Sequence, residues 1–314
     1  MEFSDRIARR MKLHDLHILM AVAQAGSMNK AAAVLNMTQP AVSRSIAELE
    51  RTVGVSLLDR NARGVEPTAY GRALLNGGTA AFDDLRQALK DIEFLADPTA
   101  GEVQIGCSSV LATSFVSAAV ERVSQRYPKI VFHIQIAPVE VLHRALIERN
   151  VDVVIAQRLD PIADERLDFE FVFDAAFVVA AGANNSWVRR RRVGLAELVN
   201  EPWMLPPRTS ALGSIATEAF RASGLGYPRT TVFVLPTEVR ANLLMTGRYL
   251  TILADFALSF PVWRSEIKVL PIQLPLDRVQ VGIVTLKNRT INPVVRLFID
   301  AVHDVAKPLA KRRP

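Results

Sequence analysis

Residues 36–54 read NMTQPAVSRSIAELERTVG, and their spacing decides how the head of the chain folds. Val42, Ile46, Leu49 and Val53 recur at i, i+4, i+7 and i+11. At about 100° per residue these four fall within one narrow arc, so they form a single buried stripe. Pro40, Ser43, Arg44, Ala47 and Arg51 lie on the opposite side. Thr38 stands at the N-cap, where its hydroxyl can accept an orphan backbone N–H. Pro40 falls in the first turn, where a missing N–H costs nothing. The outward face is short and polar near its start. A helix that lies close against another surface needs small side chains there, and Ser43 and Ala47 supply them.

Upstream, Leu13, Leu16, Met20 and Ala23 mark a first helix that ends near Gly26. Ser27 is an N-cap candidate for a second helix over 28–35, whose Ala31, Ala32 and Ala33 leave room for a close neighbour. Asn36-Met37-Thr38 is a short turn. Two helices joined this way, the second exposing Gln39, Ser43 and Arg44, make a helix-turn-helix. Downstream, LLDRNARGVEPTAYG (57–71) places Arg60, Arg63 and Gly64 in a turn-rich stretch between apolar positions. That pattern predicts a β-ribbon wing, whose arginines can reach phosphates or a narrow minor groove.

Residues 68 to 96 read as one long helix. Leu74, Gly78, Ala81, Leu85, Ala88, Ile92 and Leu95 step alternately by 4 and 3, the seam of a two-helix coiled coil. Gly77 and Gly78 weaken it, by roughly 1 kcal/mol each relative to alanine. The same pattern is open to a helix packed on its own domain. As a dimerisation surface it names Leu74, Ala81, Leu85, Ala88, Ile92 and Leu95. Asp97-Pro98-Thr99-Ala100-Gly101 stops the helix.

The bulk properties agree with a globular chain of more than one domain. The 314 residues suit two or three domains, and half are hydrophobic, enough for ample core. The formal charge of +6 permits a polyanionic partner. A single cysteine, Cys107, excludes an internal disulfide and fits a reducing compartment. The first residues, MEFSDRIARRMKLHDL, lack the apolar core of a signal peptide, and no run of 18 apolar residues exists, so neither secretion nor a membrane span is expected.

From Glu102 the texture changes to alternating strands and helices. GEVQIGCSSV, IVFHIQIA, VDVVIAQ, FVVAAG, PWMLP, TTVFVLP, YLTIL and VQVGIVTL read as strands, and VEVLHRALIERN, SIATEAFRASG, EVRANLLMTG and NPVVRLFIDAVHDVA as helices. Such alternation predicts parallel α/β sheets. There is about twice the material one small lobe needs, so two lobes with a cleft at strand C-termini are expected.

The stretch AAAVLNMTQPAVSRSIAELERTVGVSLLDRNARGVEPTAYG (31–71) closely resembles the N-terminal domain of LysR-type transcriptional regulators. The resemblance covers the winged helix-turn-helix, the linker helix and, more loosely, the α/β remainder. It implies an α+β multidomain fold. A winged helix-turn-helix occupies 1–67, a linker and dimerisation helix 68–98, and a two-lobed α/β effector domain 99–314, similar to the type 2 periplasmic binding proteins. Lobe I would span 101–171 and 272–314, with lobe II (172–271) inserted between its halves. The resemblance also implies a cytoplasmic bacterial regulator, not an enzyme, paired through the linker helix and assembled as a homotetramer. Its partners would be double-stranded DNA carrying an imperfect inverted repeat, a small-molecule effector and RNA polymerase, with no cofactor, metal or membrane.

Carried over residue by residue, Gln39, Pro40, Ser43 and Arg44 match the recognition-helix positions that face the major groove, with Thr38 just before them. Arg63 matches the wing arginine, and Arg60 sits at the wing's base. The chemistry agrees. Gln39 suits adenine N6/N7, Pro40 a thymine methyl, and Arg44 guanine O6/N7 or a phosphate. Ser43 can meet a base edge or a phosphate.

For the effector, Cys107, Ser108, Ser109 and Val110 end the first strand and open a helix, whose N–H groups could hold a carboxylate. The family often has a serine or threonine there. It also often has a hydroxyl after the second strand, where this chain has Pro138 and Val139. Gln157 and Arg158 follow the third strand, and Arg208, Thr209 and Ser210 open a helix of the second lobe. These residues predict a small organic acid held between Ser108/Ser109 and Thr209/Ser210, with Val110, Pro138 and Arg158 around it. The same hydroxyls can instead simply cap helices.

Other features offer little chemistry. His14 and His17 lack further metal ligands nearby, and no P-loop, GxSxG or GxGxxG follows a strand. Cys107 leaves thiol sensing open but no intramolecular disulfide switch. Arg189–Arg192 reads as a solvated turn. A solute-binding protein would need a secretion signal and no basic head. An α/β enzyme would need a convergent acid, base or nucleophile set that is missing here.

Overall fold

The computed structural model describes residues 10–61, 64–159, 161–260 and 266–310. The chain divides into two compact units between Leu89 and Lys90. The first holds α1 (Leu13–Ala25), α2 (Met28–Val34), α3 (Gln39–Val53), a hairpin of β1 (Leu58–Asn61) and β2 (Gly64–Pro67), and the first part of α4 (Ala69–Ala96). Leu16, Ile18, Leu19 and Val22 of α1 pack with Ala31, Ala32, Val42, Ile46, Leu49 and Leu57. The stripe read in the sequence is therefore the buried face of α3. Helices α1 and α3 end on left-handed glycines, Gly26 (φ 62°) and Gly54 (φ 81°), the usual device for satisfying terminal carbonyls without a Cβ penalty.

The hairpin is held by the helices as well as by the antiparallel pairing of its own two strands. Val65 N–H donates to Gly26 O at 3.0 Å. Gly64 has φ 136°, and a Cβ there would lie 2.5 Å from that same carbonyl oxygen. Glu50 Oε1 on α3 accepts from Leu57 N (2.8 Å) and Leu58 N (3.3 Å). Thr68 Oγ1 accepts from Gly71 N (3.0 Å) and donates to Ser56 O (2.8 Å). A Cβ on Gly71 would stand 2.0 Å from Leu57 O. The Pro-Thr-Ala-Tyr-Gly run is thus a clamp that starts α4 directly against the hairpin.

Along α4 the expected seam splits in two. Leu74 packs into the core of the head with Leu75 and Phe82. Gly78 faces Leu16, whose Cδ1 would lie 2.9 Å from an added Cβ. Leu74 therefore serves its own domain, which corrects its place in the dimerisation set, and the glycine that weakens the helix lets α1 approach it. Further on, Ala81 and Ala88 are exposed, as are Leu85 (46 %), Leu89 (60 %), Ile92 (61 %) and Leu95 (79 %). Leu85, Ile92 and Leu95 form the exposed part of the seam, with Leu89 beside it.

The second unit contains two five-stranded sheets. The first has the order β4-β3-β5-β12-β6, from Lys129–Ile136, Ala100–Cys107, Val153–Arg158, Val279–Leu286 and Leu167–Ala175. The second has the order β11-β7-β10-β8-β9, from Ile267–Val269, Phe177–Gly182, Leu250–Ala254, Trp203–Leu205 and Thr230–Phe233. The chain leaves the first sheet after Ala175 and re-enters it at Val279. The boundary anticipated at 171/172 falls inside β6, a strand absent from the sequence reading. Its helices are α5 (Ser117–Arg126), α6 (Val139–Ile147), α7 (Ala211–Ala222), α8 (Thr237–Met245) and α9 (Pro293–Ala310). Before α5, a short turn Ser109–Leu111 runs into a π-helical segment, Ala112–Val116.

The sheets are mixed rather than parallel. β12 is antiparallel to both β5 and β6, and β7 is antiparallel to β10 and β11. β12 arrives from the other lobe, not through a local β-helix-β crossover, so no crossover forces it parallel. Phe115, Phe173, Phe256 and Phe298 fill the first core, and Trp203 and Phe220 the second. Arg289 and Asp152 form a buried pair at 2.9 Å, each side chain only 6 % exposed. Asp152 Oδ2 also accepts from Gln104 N at 2.9 Å, tying β3 to the loop before β5.

Candidate nucleic-acid interface and effector cleft

At the head, the start of α3 presents what the sequence suggested. Thr38, Gln39, Pro40 and Arg44 are exposed and Ser43 is half-buried, while Val42, Ile46 and Leu49 hold the helix from behind. Thr38 is the N-cap by backbone (φ −81°, ψ 147°), yet its hydroxyl makes no cap bond, a correction to the expectation. Pro40 occupies one of the two positions whose N–H a cap would satisfy. At the other, Ala41 N–H donates to the Thr38 carbonyl (3.0 Å). The Thr38 hydroxyl is left at the surface beside Gln39.

Arg60 on β1 is exposed, and its Nη2 lies 3.5 Å from Ser43 Oγ, a long contact that joins the wing base to α3. Arg63 lies outside the described residues. Sequence reasoning missed Glu50, whose carboxylate fixes the wing strand to α3; its spacing to Leu57 carried no recognisable signal. The surface can therefore offer an amide, a hydroxyl, a proline ring and guanidinium groups to a groove, on a helix whose rear is locked.

The expected effector residues do not converge as a set. Ser210 Oγ accepts from Gly213 N (3.1 Å) and donates to Pro207 O (2.7 Å), so it caps α7. Thr209 and Pro138 are exposed. Ser109 Oγ donates to the Glu238 carboxylate (3.1 Å) and accepts from Thr237 N (3.1 Å), which ties the turn after β3 to the start of α8. Ser108 Oγ is buried with no hydrogen-bond partner. Arg158 lies over the Phe169 ring at 4.7 Å. It also lines a cavity of about 400 Å³ with Phe177, Ser214, Ile215, Glu218 and Arg278.

A second, smaller cavity of about 30 Å³ is lined by Val110, Gln157, Phe177, Ile215, Arg240 and Ile252. Phe177 and Ile215 line both. Val110, of the Ser108–Val110 turn, lines the wall of this smaller cavity. Arg240 lay outside every motif noticed in the sequence. Cys107 is fully buried, and desolvation pushes its thiol up to about 12. It stays protonated at neutral pH, which removes the thiolate that redox sensing needs. Arg189–Arg192 is exposed, with Arg190 stacked on Trp187 at 4.8 Å.

A winged helix-turn-helix followed by a long helix and a two-sheet α/β domain with cavities between its sheets defines a ligand-responsive DNA-binding regulator. Comparison with known proteins agrees. Residues 13–72 match the bacterial regulatory helix-turn-helix protein of the lysR family, and residues 96–307 match the LysR substrate binding domain. The chain belongs to the LysR family of bacterial transcriptional regulators, which are not enzymes. Among its relatives, the HTH-type transcriptional regulator GbpR of Azospirillum brasilense is 24% identical over 304 residues, covering 96% of this chain and 89% of that protein. The transcriptional dual regulator GltC of Bacillus subtilis is 26% identical over 294 residues, 93% of this chain and 96% of that one.

Solved structures share the fold. ArgP from Mycobacterium tuberculosis superposes with a TM-score of 0.67 at 20% identity, covering 93% of this chain and 96% of that chain. Full-length OxyR from Pseudomonas aeruginosa gives 0.65 at 18% identity, with 97% and 99% covered. CbnR complexed with its target DNA gives 0.53 at 20% identity, with 95% and 100% covered. No helix among the described residues is long and apolar enough to cross a membrane.

Proposed function

We propose that this regulator reads an imperfect inverted repeat in duplex DNA with Gln39, Pro40, Ser43 and Arg44, flanked by Thr38, Arg60 and Arg63. The observation that carries this reading is the exposed start of α3. Arg44 has no ion-pair partner among the described residues, and Arg60 adjoins Ser43. Pairs form along α4 through Ala81, Leu85, Ala88, Ile92 and Leu95, with Leu89 beside them. Two such helices set the half-sites about one turn, roughly 34–36 Å, apart.

A second unpartnered apolar region supports assembly into a homotetramer. β4 and β9 are edge strands of their sheets, and Val131, Ile134, Ile136, Phe233 and Leu235 are exposed on and beside them. Exposed apolar edges of this kind are normally covered. The protein acts in the cytoplasm, where its DNA is, with RNA polymerase as a further partner.

The effector is a small organic acid bound between the lobes near Ser108, Ser109, Val110 and Arg158. Support comes from the buried, unpartnered Ser108 hydroxyl and from the Ser109–Glu238 contact, which links the two lobes and can respond to a ligand. Ligand binding shifts the population of lobe arrangements, and through α4 the spacing of the DNA-reading heads. Mapping of occupied sites across the genome tests the DNA reading. Recovery of one inverted-repeat motif is expected, and occupancy without any shared motif would overturn it. Titration calorimetry on a Ser108→Ala, Ser109→Ala double variant tests the cleft, with weakened effector binding expected and unchanged affinity contradicting it.

A further inference from the structure

The second lobe carries an arginine that no carboxylate among the described residues neutralises. Arg240, on α8, is only 7 % exposed. Its Nη2 donates to Thr251 Oγ1 (3.1 Å) and Ile252 O (2.6 Å), both neutral acceptors. Its Nε is buried with no partner, and no carboxylate among the described residues pairs with it. Desolvation pulls its pKa down to about 10, so it remains a cation at neutral pH. Gln157, near the end of β5 in the other lobe, lines the same small cavity, and its Nε2 is likewise buried without an acceptor.

Taking a guanidinium out of water is costly, and the cost is ordinarily offset by a paired anion. A trapped water could accept these N–H groups but would leave the charge uncompensated. The missing component is therefore an anion that only accepts hydrogen bonds.

We propose that Arg240 and Gln157 are the anchor for a carboxylate group, and that an organic acid held there bridges the two lobes. This rests on the reading above that the effector is an acid bound in the cleft, and it names the residues that hold its charge. A cavity of about 30 Å³ has room for one or two waters, so it takes the carboxylate and nothing larger. The rest of the molecule lies past Phe177 and Ile215 in the neighbouring cavity of about 400 Å³. Gln157 belongs to the first sheet and α8 packs with the second, so one anion contacting both draws the lobes together. Glu238, in the first turn of α8, already reaches across to Ser109, and the two contacts reinforce one closed arrangement.

The minimal probe is acetate. Thermal unfolding of the full chain is followed with sodium acetate and with sodium chloride at matched ionic strength, for wild type, Arg240→Met and Arg240→Lys. Acetate raises the wild-type Tm beyond chloride in a saturable way. Arg240→Met loses the response, with affinity at least about 10-fold weaker, the scale of one lost charge-assisted hydrogen bond. Arg240→Lys, which keeps the charge, retains a weakened response. The anchor is overturned if Arg240→Met responds like wild type, or if the lysine variant is as silent as the methionine one, since Arg240 is then only a structural strut. A response lost in the Ser108→Ala, Ser109→Ala variant but kept in Arg240→Met removes the anchor and leaves the cleft reading standing. Wild type that treats acetate as it treats chloride brings down both.

Discussion

Arg44 and Arg240 show how differently the two units of this molecule prepare for an anion. Arg44 stands in water on the outer face of α3, held by a helix whose rear is buried. It contributes through position. Arg240 is enclosed, lightly bonded to neutral groups, and its environment makes an anion worth binding. An exposed cation meets its partner through screened, long-range attraction. A buried one meets it at short range, in a medium that magnifies the interaction.

Salt separates these two modes most sharply. Operator binding neutralises many phosphates, and a dimer making six or more such contacts loses about 10³-fold or more in affinity between 50 and 200 mM salt. Fluorescence anisotropy with a labelled operator measures this. Carboxylate binding at the enclosed Arg240 should change far less over the same range. Equal salt slopes for DNA and for acetate would abolish the distinction.

The next effect concerns the independence of the two units. Asp152→Ala removes the carboxylate that pairs with the buried Arg289 at 2.9 Å and accepts from Gln104 N, and should destabilise the second unit by about 3–5 kcal/mol. Denaturant unfolding, followed by tryptophan fluorescence, reports that unit alone, because Trp187, Trp203 and Trp263 all belong to it. The head should keep its own unfolding midpoint, measured by circular dichroism. A smaller effect is expected in the head. Gly71→Ala drives a Cβ to within 2.0 Å of the Leu57 carbonyl and should cost about 1–3 kcal/mol as overpacking. Its measurement is the same denaturant curve, with the fluorescence transition unchanged.

The head was legible in the sequence because its information is local. The stripe of Val42, Ile46 and Leu49 lies within one helix, and the exposed residues are simply the rest of that helix. What stayed hidden there involved contacts across a longer separation, such as Glu50 to Leu57 and Gly78 to Leu16. Leu74 shows the limit of periodicity. A heptad step marks an apolar face, but does not say whether the neighbour is another subunit or the same domain.

The effector unit was legible in outline and much less so at its site. β6 escaped because LDFEFVFDA sets its phenylalanines among charged residues, and only the β12 partner, with a bulge between Val281 and Gly282, shows which of them turn inward. The hydroxyls expected to bind ligand sit at helix starts, where backbone groups compete for them. Ser210 is taken by Gly213 and Pro207, and Ser109 by Glu238 and Thr237. Arg240 and Gln157 are 83 residues apart in sequence, and neither sits in a motif. Their meeting follows from the insertion of one lobe into the other, which spacing along the chain does not encode.

The claim that α3 reads sequence is tested most directly by comparing wild type and Arg44→Ala on operators that differ at a single base pair within one half-site. Wild type should discriminate the variant operator by about 1–3 kcal/mol, and Arg44→Ala should lose that preference at one base step while keeping it elsewhere. A wild-type protein indifferent to every single-base change, or an Arg44→Ala protein that weakens on all operators equally, would contradict base readout by Arg44.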